Sequence, residues 1–170
     1  MRIAYFRYNG SMAVLPIITG ADHPLLRRIT SPVKAVTADT IALLRDMEET
    51  TASAKGAGIA APQVGSGDSL CIALINSELI PLINPVITWM SEEKERAEEG
   101  CLSLPGIWLW IERSKDIIVE FTDRKNKKRE LRLSGFDARV VQHEVDHLNG
   151  ILIVDYVDSK VPKADSLART

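Results

Sequence analysis

Two histidines, His143 and His147, stand four residues apart inside the last helix predicted for this 170-residue chain, at about Gly135–Asn149. Side chains with this spacing lie on one helix face, so both imidazoles can reach one metal ion while Glu144 projects beside it as a base. The alternative is two partly exposed histidines on an amphipathic helix. The chain has only three histidines, and the remaining one, His23, has no partner pattern and is predicted to be structural or solvent-facing.

Short apolar runs and turn signals precede that helix. An amphipathic helix is predicted at Ala38–Ala54, with Thr37 or Asp39 as its cap. The order of a helix, several strands and a helix predicts an α+β fold with mostly antiparallel sheets. The predicted strands are Leu70–Ile75, Leu82–Met90, Ile117–Phe121 and Glu130–Leu133, followed by a strand or extended segment at Ile151–Val157.

Composition excludes several classes of protein. Apolar residues make up 45% of the chain and charged residues 26%, which is ordinary for a globular protein. The longest apolar runs, such as Ile72–Ile75, are far shorter than the ~20 residues of a membrane span. The net charge of −2 does not favour a polyanion such as DNA as partner. Two cysteines are too few for a disulfide framework, so Cys71 and Cys101 are expected to be free in a reducing compartment.

The chain is expected to form one domain. Residues 1–11 read as an N-terminal extension before a start at Met12, residues 12–158 as the domain, and residues 159–170 as a short tail. Ser134 with Asp137 resembles a capping box for the last helix, and Gly150 stands where a C′ glycine belongs. Charged residues cluster in two runs, which are interpreted as solvated turns or edge strands, with RNA contact as the alternative for the basic run. These runs are Glu92–Glu99 and Arg124–Arg129.

A metal held by the two histidines needs a third ligand. Metallopeptidases with this helix motif usually take a downstream His or Glu, but only Asp155 and Asp158 are available as nearby acids after His147. Upstream, Cys101 is placed in a loop after a strand, and its thiolate could complete a Cys-His-His set with a fourth position open to water. The alternative is a small buried apolar residue, which is how Cys71 is interpreted.

A third segment, Gly56–Gln63, is rich in glycine and alanine. Small residues let the backbone approach another group closely, and the amide of Gln63 could be aimed rather than solvated. The alternative, a helix C-cap followed by a turn, explains Gly56.

Together these three segments resemble the peptide deformylases, which remove the formyl group from the initiator methionine of new polypeptides. The family's motifs occur here in the same order, as Gly56–Gln63, Glu99–Ser103 and Gln142–His147, and the likeness covers about Met12 to Val157. The resemblance implies antiparallel sheets packed around a central metal-binding helix.

The resemblance also implies a metal centre. Cys101, His143 and His147 would hold one divalent ion, and Glu144 would be the acid/base residue. The family implies Fe²⁺ in the cell, with Zn²⁺, Ni²⁺ or Co²⁺ as substitutes, all of which suit a thiolate and two imidazoles.

The remaining implied roles concern the substrate, an N-formylmethionyl nascent peptide that yields formate and a free amine. Gln63 and the backbone N–H of Leu102 would stabilise the oxyanion, and Gly58 would pair with the peptide as an edge strand does. Val140 and Phe136 lie one and two turns before Glu144 on its helix face and are the candidates for the methionine pocket.

Other expectations concern support and partners. The resemblance implies that Glu99 pairs with Arg113 to brace the Cys101 segment. A monomer in the bacterial cytoplasm is expected, with an organelle left open, no DNA or membrane partner, and a transient encounter with the ribosome. Because Pro162 would break a helix in the C-terminal tail, the tail is not expected to bind the ribosome as a helix.

Three alternatives and one departure stay open on the sequence. The alternatives are a metallopeptidase of another fold, a non-enzymatic relative, and a deformylase-like hydrolase with a different acyl or ester substrate. Leu102 matches the family's usual residue and argues against the last. Trp108 and Trp110 depart from the pattern, and are interpreted either as packing on a strand or as a site wall that alters side-chain preference.

Overall fold

The computed structural model describes residues 13–157, so the predicted extension 1–11, the start at Met12 and the tail 159–170 lie outside the described residues. Within that range two α-helices enclose a run of β-strands, which makes the fold α+β as predicted. The helices are α1 (Ala38–Ser53) and α2 (Gly135–Leu148). The strands are β1 (Gly58–Ala60), β2 (Leu70–Ile75), β3 (Glu78–Met90), β4 (Lys94–Cys101), β5 (Leu104–Ser114), β6 (Asp116–Thr122) and β7 (Lys128–Ser134).

The strands form two antiparallel sheets. A five-stranded sheet has the order β1-β2-β3-β6-β7, and β4 pairs with β5 in a separate two-stranded sheet. Strand β2 has the predicted bounds, but β3 starts at Glu78 rather than Leu82. The reason is the turn, because Asn76 and Ser77 have positive φ angles of 50° and 66°, which suits a two-residue hairpin and extends the pairing.

The five-stranded sheet lies between the two helices. On one face, Ile59 and Ile72 pack with Leu44 and Met47 of α1. On the other face, alternate residues of the same strands pack against α2, because successive strand side chains point to opposite faces. Those residues are small (Ala60, Cys71 and Ala73), and they contact Ala138 and Val141 of the helix. This lets α2 lie close to β1 and β2.

The β4–β5 sheet packs against the end of the described chain. Leu109 and Ile111 of β5 form a third apolar cluster with Leu26, Leu152 and Ile153. Most of the acidic run Glu92–Glu99 lies in strand β4 of this small sheet, which agrees with its interpretation as an edge strand.

The basic run Arg124–Arg129 forms the exposed β6–β7 turn and the start of edge strand β7, as predicted. The Asp123 carboxylate accepts hydrogen bonds from the backbone N–H groups of Lys125 and Lys127, both at 2.9 Å. Neither helix among the described residues has the length and apolar character that a membrane crossing requires.

Two local predictions were wrong. The Ser134 side chain does not cap α2, because the Asp137 carboxylate accepts instead from the backbone N–H of Asn76 at 2.9 Å and joins the helix start to the β2–β3 turn. Ile151–Val157 is not extended but contains a 3₁₀ turn at Ile153–Tyr156. The prediction of Gly150 as the C′ glycine of α2 was correct, since its φ is 73°.

Strand β5 was not among the predicted runs. Trp108 and Trp110 do lie on a strand, as one interpretation held, but they are 58% and 61% exposed rather than packed in a core. Trp108 covers Gly100 of β4, where an added Cβ would come within 3.0 Å of its ring.

Candidate metal centre

Helix α2 carries both histidines on the face that lies toward the β4–β5 sheet. Their ring centroids are 5.1 Å apart, as the spacing predicts. Cys101 is the last residue of β4, not a loop residue as predicted, and it follows a shift in the β4–β5 register at Gly100. Such irregularities re-aim a side chain, and here the Cys101 Sγ lies 3.2 Å from the Nε2 of His147.

Three potential ligand atoms therefore converge. The sulfur of Cys101 and one nitrogen each from His143 and His147 lie within 4.8 Å of one another. The pKa of His147 is lowered mainly by burial and also by the nearby His143. The imidazole of His147 is therefore neutral, which is the form that binds a metal. A thiolate with two imidazoles fits a zinc-type or iron-type ion and leaves a position for water. Cys71 is free and buried in β2, as predicted.

Glu99, two residues before Cys101, is the hub of a buried ionic network. The residue is 6% exposed, and its carboxylate accepts two hydrogen bonds from Arg113, each at 2.9 Å. It also accepts from Arg139 at 2.7 Å, and it lies 3.0 Å from the Nδ1 of His143. The pair of Glu99 and Arg113 that the resemblance implied is thus present.

The network orients the ring of one candidate ligand, His143. Burial would raise the pKa of Glu99, but hydrogen bonds from Arg113 and His143 lower it to about 2. An ionised carboxylate only accepts hydrogen bonds, so Nδ1 of His143 donates to Glu99, and Nε2 is the ring nitrogen left to face the candidate ligand cluster. This carboxylate–histidine arrangement is typical of metal ligands.

Glu144 stands beside the cluster in a different setting. It is 3% exposed, and its Oε2 has no hydrogen-bond partner among residues 13–157. Burial raises the pKa of this carboxyl to about 7, while His143 opposes the rise. A buried carboxyl with a free oxygen beside three ligand atoms can take up and release a proton near neutral pH.

Strand β1 brings backbone next to that carboxyl. Gly58 pairs with Ala73 of β2, and β1 has no partner strand on its other side in the described part of the chain. A Cβ at Gly58 would collide with the Oε1 of Glu144 and lie 2.8 Å from the carbonyl oxygen of Ile72. Only glycine fits between the strand and the carboxyl, and an unpaired edge can accept an extended peptide.

The side-chain amide of Gln63 is held in place and points toward the Cys101 segment, as the sequence suggested. Its Oε1 accepts from the backbone N–H of Ala60 at 2.8 Å. This leaves Nε2 to donate to the Ser103 hydroxyl at 3.1 Å and to point at the Cys101 sulfur at 3.7 Å. Leu102 follows Cys101 directly and packs against the cluster under α1.

The two pocket candidates lie in unlike surroundings. Val140, one turn before Glu144, is buried in the cluster between α2 and the sheet. Phe136, one turn earlier, is 58% exposed. The structure thus brings together the metal, acid/base and amide residues predicted from the sequence, and places Phe136 at the rim.

Sequence reasoning missed three residues of the network. Arg139 binds Glu99 directly, while Asp146 accepts from Arg113 at 2.5 Å and from the Tyr156 hydroxyl at 2.7 Å. A signal for Arg139 was available, because it lies four residues before His143 and eight before His147, on the same helix face.

Comparison with known proteins agrees with this geometry. The family model described as polypeptide deformylase matches residues 15–163. The peptide deformylase of Rhizobium meliloti (strain 1021) is 39% identical over 151 residues, which are 86% of each chain.

Solved structures agree as well. The peptide deformylase of Thermotoga maritima superposes with a TM-score of 0.82 at 39% identity, over 85% of this chain and 98% of that one. A Met-Ala-Ser-bound class I type b peptide deformylase from Acinetobacter baumannii gives a TM-score of 0.81 at 34% identity, over 86% and 100%. With matches of this extent, the chain belongs to the peptide deformylase family, whose members are metal-dependent hydrolases that remove the formyl group from new polypeptides.

Proposed function

We propose that Cys101, His143 and His147 hold the catalytic ion of this deformylase and that Glu144 is its acid/base residue. The observation that carries the proposal is the buried Oε2 of Glu144, which has no partner in the described part of the chain. Leaving a buried polar atom unpaired costs free energy. A water or substrate group at the centre would supply the missing partner.

The chain's own residues account for the proton transfers. When bound, a divalent ion would supply Lewis acidity, which brings the pKa of a water molecule close to neutrality. Glu144 takes the proton of the water that attacks the formyl carbon, and passes it to the leaving amine nitrogen. The C–N bond then breaks, and formate and a free α-amine are released.

Two donors would hold the negative charge that develops on the formyl oxygen. Gln63 Nε2 is fixed by the bond between its Oε1 and Ala60, and the N–H of Leu102 adjoins the sulfur ligand. Donors held in place before the reaction need no reorganisation, and losing one typically costs about 10²–10³ in rate.

The substrate is placed by backbone and by an apolar surface. The free edge of β1 at Gly58 is proposed to pair with the extended peptide. Phe136 and Val140 are proposed to line the methionine pocket, and a bound methionine side chain would cover the exposed ring of Phe136. Met-Ala-Ser in the Acinetobacter relative has the same methionine terminus as such a product.

The test compares peptides that differ only in the acyl group. The metal-loaded chain is expected to release formate from formyl-Met-Ala-Ser and to leave acetyl-Met-Ala-Ser intact. The support is the tight packing beside Glu144, where even a Cβ at Gly58 would collide with the carboxylate, so a site lined by this glycine is proposed to exclude acyl groups larger than formyl. Formate release is measured with a coupled dehydrogenase. Equal cleavage of the two peptides would contradict deformylation as the reaction and favour a broader acyl hydrolase.

Fe²⁺ is proposed as the ion in the cell, with Zn²⁺, Ni²⁺ or Co²⁺ able to replace it. The support is the mixed sulfur and nitrogen donor set, which suits each of these ions. Activity is expected to decay in air for the protein as purified and to persist after nickel loading. Equal persistence of both samples, with zinc found by elemental analysis, would contradict iron.

We further propose a single catalytic domain over residues 12–158 that acts as a monomer in the bacterial cytoplasm and meets the ribosome only transiently. One domain is supported by two apolar clusters: one joins α2 to the five-stranded sheet, and the other joins strand β5 to Leu26 and to the end of the described chain. Sedimentation of the protein alone and with ribosomes checks the last two points, and a stable dimer or a stoichiometric ribosome complex would contradict them.

A further inference from the structure

We propose that Arg139 is a positioning residue for the metal centre and that it acts on His143 through the Glu99 carboxylate. The inference depends on the ligand set proposed above. Arg139 lies on α2 one turn before His143 and is 6% exposed, although an arginine in an amphipathic helix usually faces solvent.

The guanidinium of Arg139 joins three parts of the fold. It donates to Glu99 Oε1 at 2.7 Å, to the carbonyl oxygen of Ile111 on β5 at 3.0 Å, and to that of Glu95 on β4 at 2.6 Å. The two carbonyls fix the plane of the guanidinium, so it approaches Glu99 from one direction only. A planar fork with several donors is what arginine offers and lysine lacks.

A second cation is needed because Arg113 is shared. Arg113 pairs with Glu99 and also with Asp146, so one cation would face two carboxylates, the buried one of Glu99 and the partly buried one of Asp146. Arg139 adds the second cation and balances the cluster. Buried charges are tolerated when each is paired and hydrogen-bonded.

The consequence reaches His143. Each oxygen of Glu99 now has two neighbours: Arg113 and Arg139 at Oε1, and Arg113 and His143 at Oε2. These fill the lone pairs of the carboxylate and prevent its rotation. The fixed Oε2 then holds the Nδ1 proton of His143, so that Nε2 points at the ligand cluster.

The test measures metal affinity rather than activity. The metal-free full chain is titrated with Co²⁺ against a chromophoric chelator. Arg139→Met is expected to weaken Co²⁺ binding about 10–100-fold, the usual effect of removing a group that orients a ligand. Arg139→Lys should recover only part of the loss, because it keeps the charge without the fork.

A matched control separates positioning from general destabilisation. Leu44→Ala opens a cavity in the α1 cluster, apart from the Glu99 network, and it destabilises the fold without altering charge. Urea unfolding ranks the two variants. Leu44→Ala should bind Co²⁺ as the unmodified chain does, and an affinity loss in Arg139→Met no greater than in this control would overturn the proposal.

A double-mutant cycle tests the route through Glu99. In a Glu99→Gln background, Arg139→Met should change Co²⁺ affinity by less than about threefold, because the shared partner is already altered. An undiminished loss would overturn the route. Should Arg139→Met not fold, Arg139→Lys takes its place in the cycle, and unchanged affinity in that variant would overturn the need for the fork.

Failure of the ligand set can be told apart from failure of this inference. If the unmodified chain does not bind Co²⁺, the set of Cys101, His143 and His147 is wrong, and the inference fails with it. If it binds Co²⁺ without releasing formate, the proposed function fails, while the effect of Arg139→Met on affinity still decides the inference.

Discussion

Two buried glutamates, Glu99 and Glu144, flank the candidate metal-binding cluster in opposite electrostatic settings. Glu99 accepts from two arginines and has its pKa lowered to about 2. Glu144 has an oxygen without a partner in the described range, and burial raises its pKa to about 7.

The contrast teaches that burial alone does not decide what a carboxyl can do. Burial favours the neutral form of both groups, and the number of donors around each decides the outcome. Glu99 is held as an anion that orients His143, a proposed ligand. Glu144 is left able to exchange a proton, which suits the acid/base role proposed for it.

The largest effect is expected for Glu144→Gln, which keeps the shape of the side chain and removes its proton exchange. Turnover should fall about 10²–10⁴-fold, while metal content and the midpoint of thermal unfolding change little, since no described partner of Oε2 is lost. Formate release and elemental analysis check this. Turnover equal to that of the unmodified chain in a metal-loaded sample would remove Glu144 from the reaction.

For Glu99→Gln, in contrast to Glu144→Gln, the main expected effect is on the stability of the fold. This change leaves two buried arginines short of a countercharge, so the free energy of unfolding should fall by about 3–5 kcal/mol. Urea denaturation at neutral pH measures the loss. If Glu99→Gln and Glu144→Gln destabilise the chain equally, the two settings do not differ as described.

A smaller effect on rate is expected for Gly58→Ala. The new methyl group would displace the Glu144 carboxylate, because the other contact, the Ile72 carbonyl, belongs to the sheet backbone. Misplacing a reacting group by about 1 Å can cost about 10²-fold in rate. Gly67→Ala is the control, since a Cβ at that position meets nothing within 4 Å, and equal turnover in the two variants would contradict the role of Gly58.

The parts of the fold that could be predicted are those with a clear local pattern. The apolar run Leu70–Ile75 gave strand β2 its bounds. Strand β5 was not predicted because Trp108 and Trp110 are apolar residues that face solvent. They hide the alternation of apolar and polar residues by which a half-buried strand is identified in a sequence. The cap at Ser134 failed because Asp137 found a partner 61 residues away in sequence, and such tertiary competition leaves no local trace.

The site was predictable for a related reason. His143 and Glu144 stand in a short motif whose spacing indicates the chemistry. Cys101 was a candidate because the two histidines need a third ligand, and the resemblance then favoured it over a small buried apolar residue. Tyr156 was not found, because its role depends on a contact between distant segments. Arg139 shares a helix face with both histidines, but that position alone does not show that it is buried or that it binds Glu99. A buried cation in a helix looks like a solvent-facing one until the strand opposite it is known.

The short length of β1 bears on whether the protein aggregates at high concentration. A free strand edge pairs with any extended chain, including a misfolded neighbour, and long exposed edges promote aggregation. This edge has three residues, Gly58–Ala60, and the chain turns away immediately through Pro62. So short an edge offers few backbone groups for pairing with a second copy, while it would still be long enough for the first residues of the peptide that is proposed to pair at Gly58.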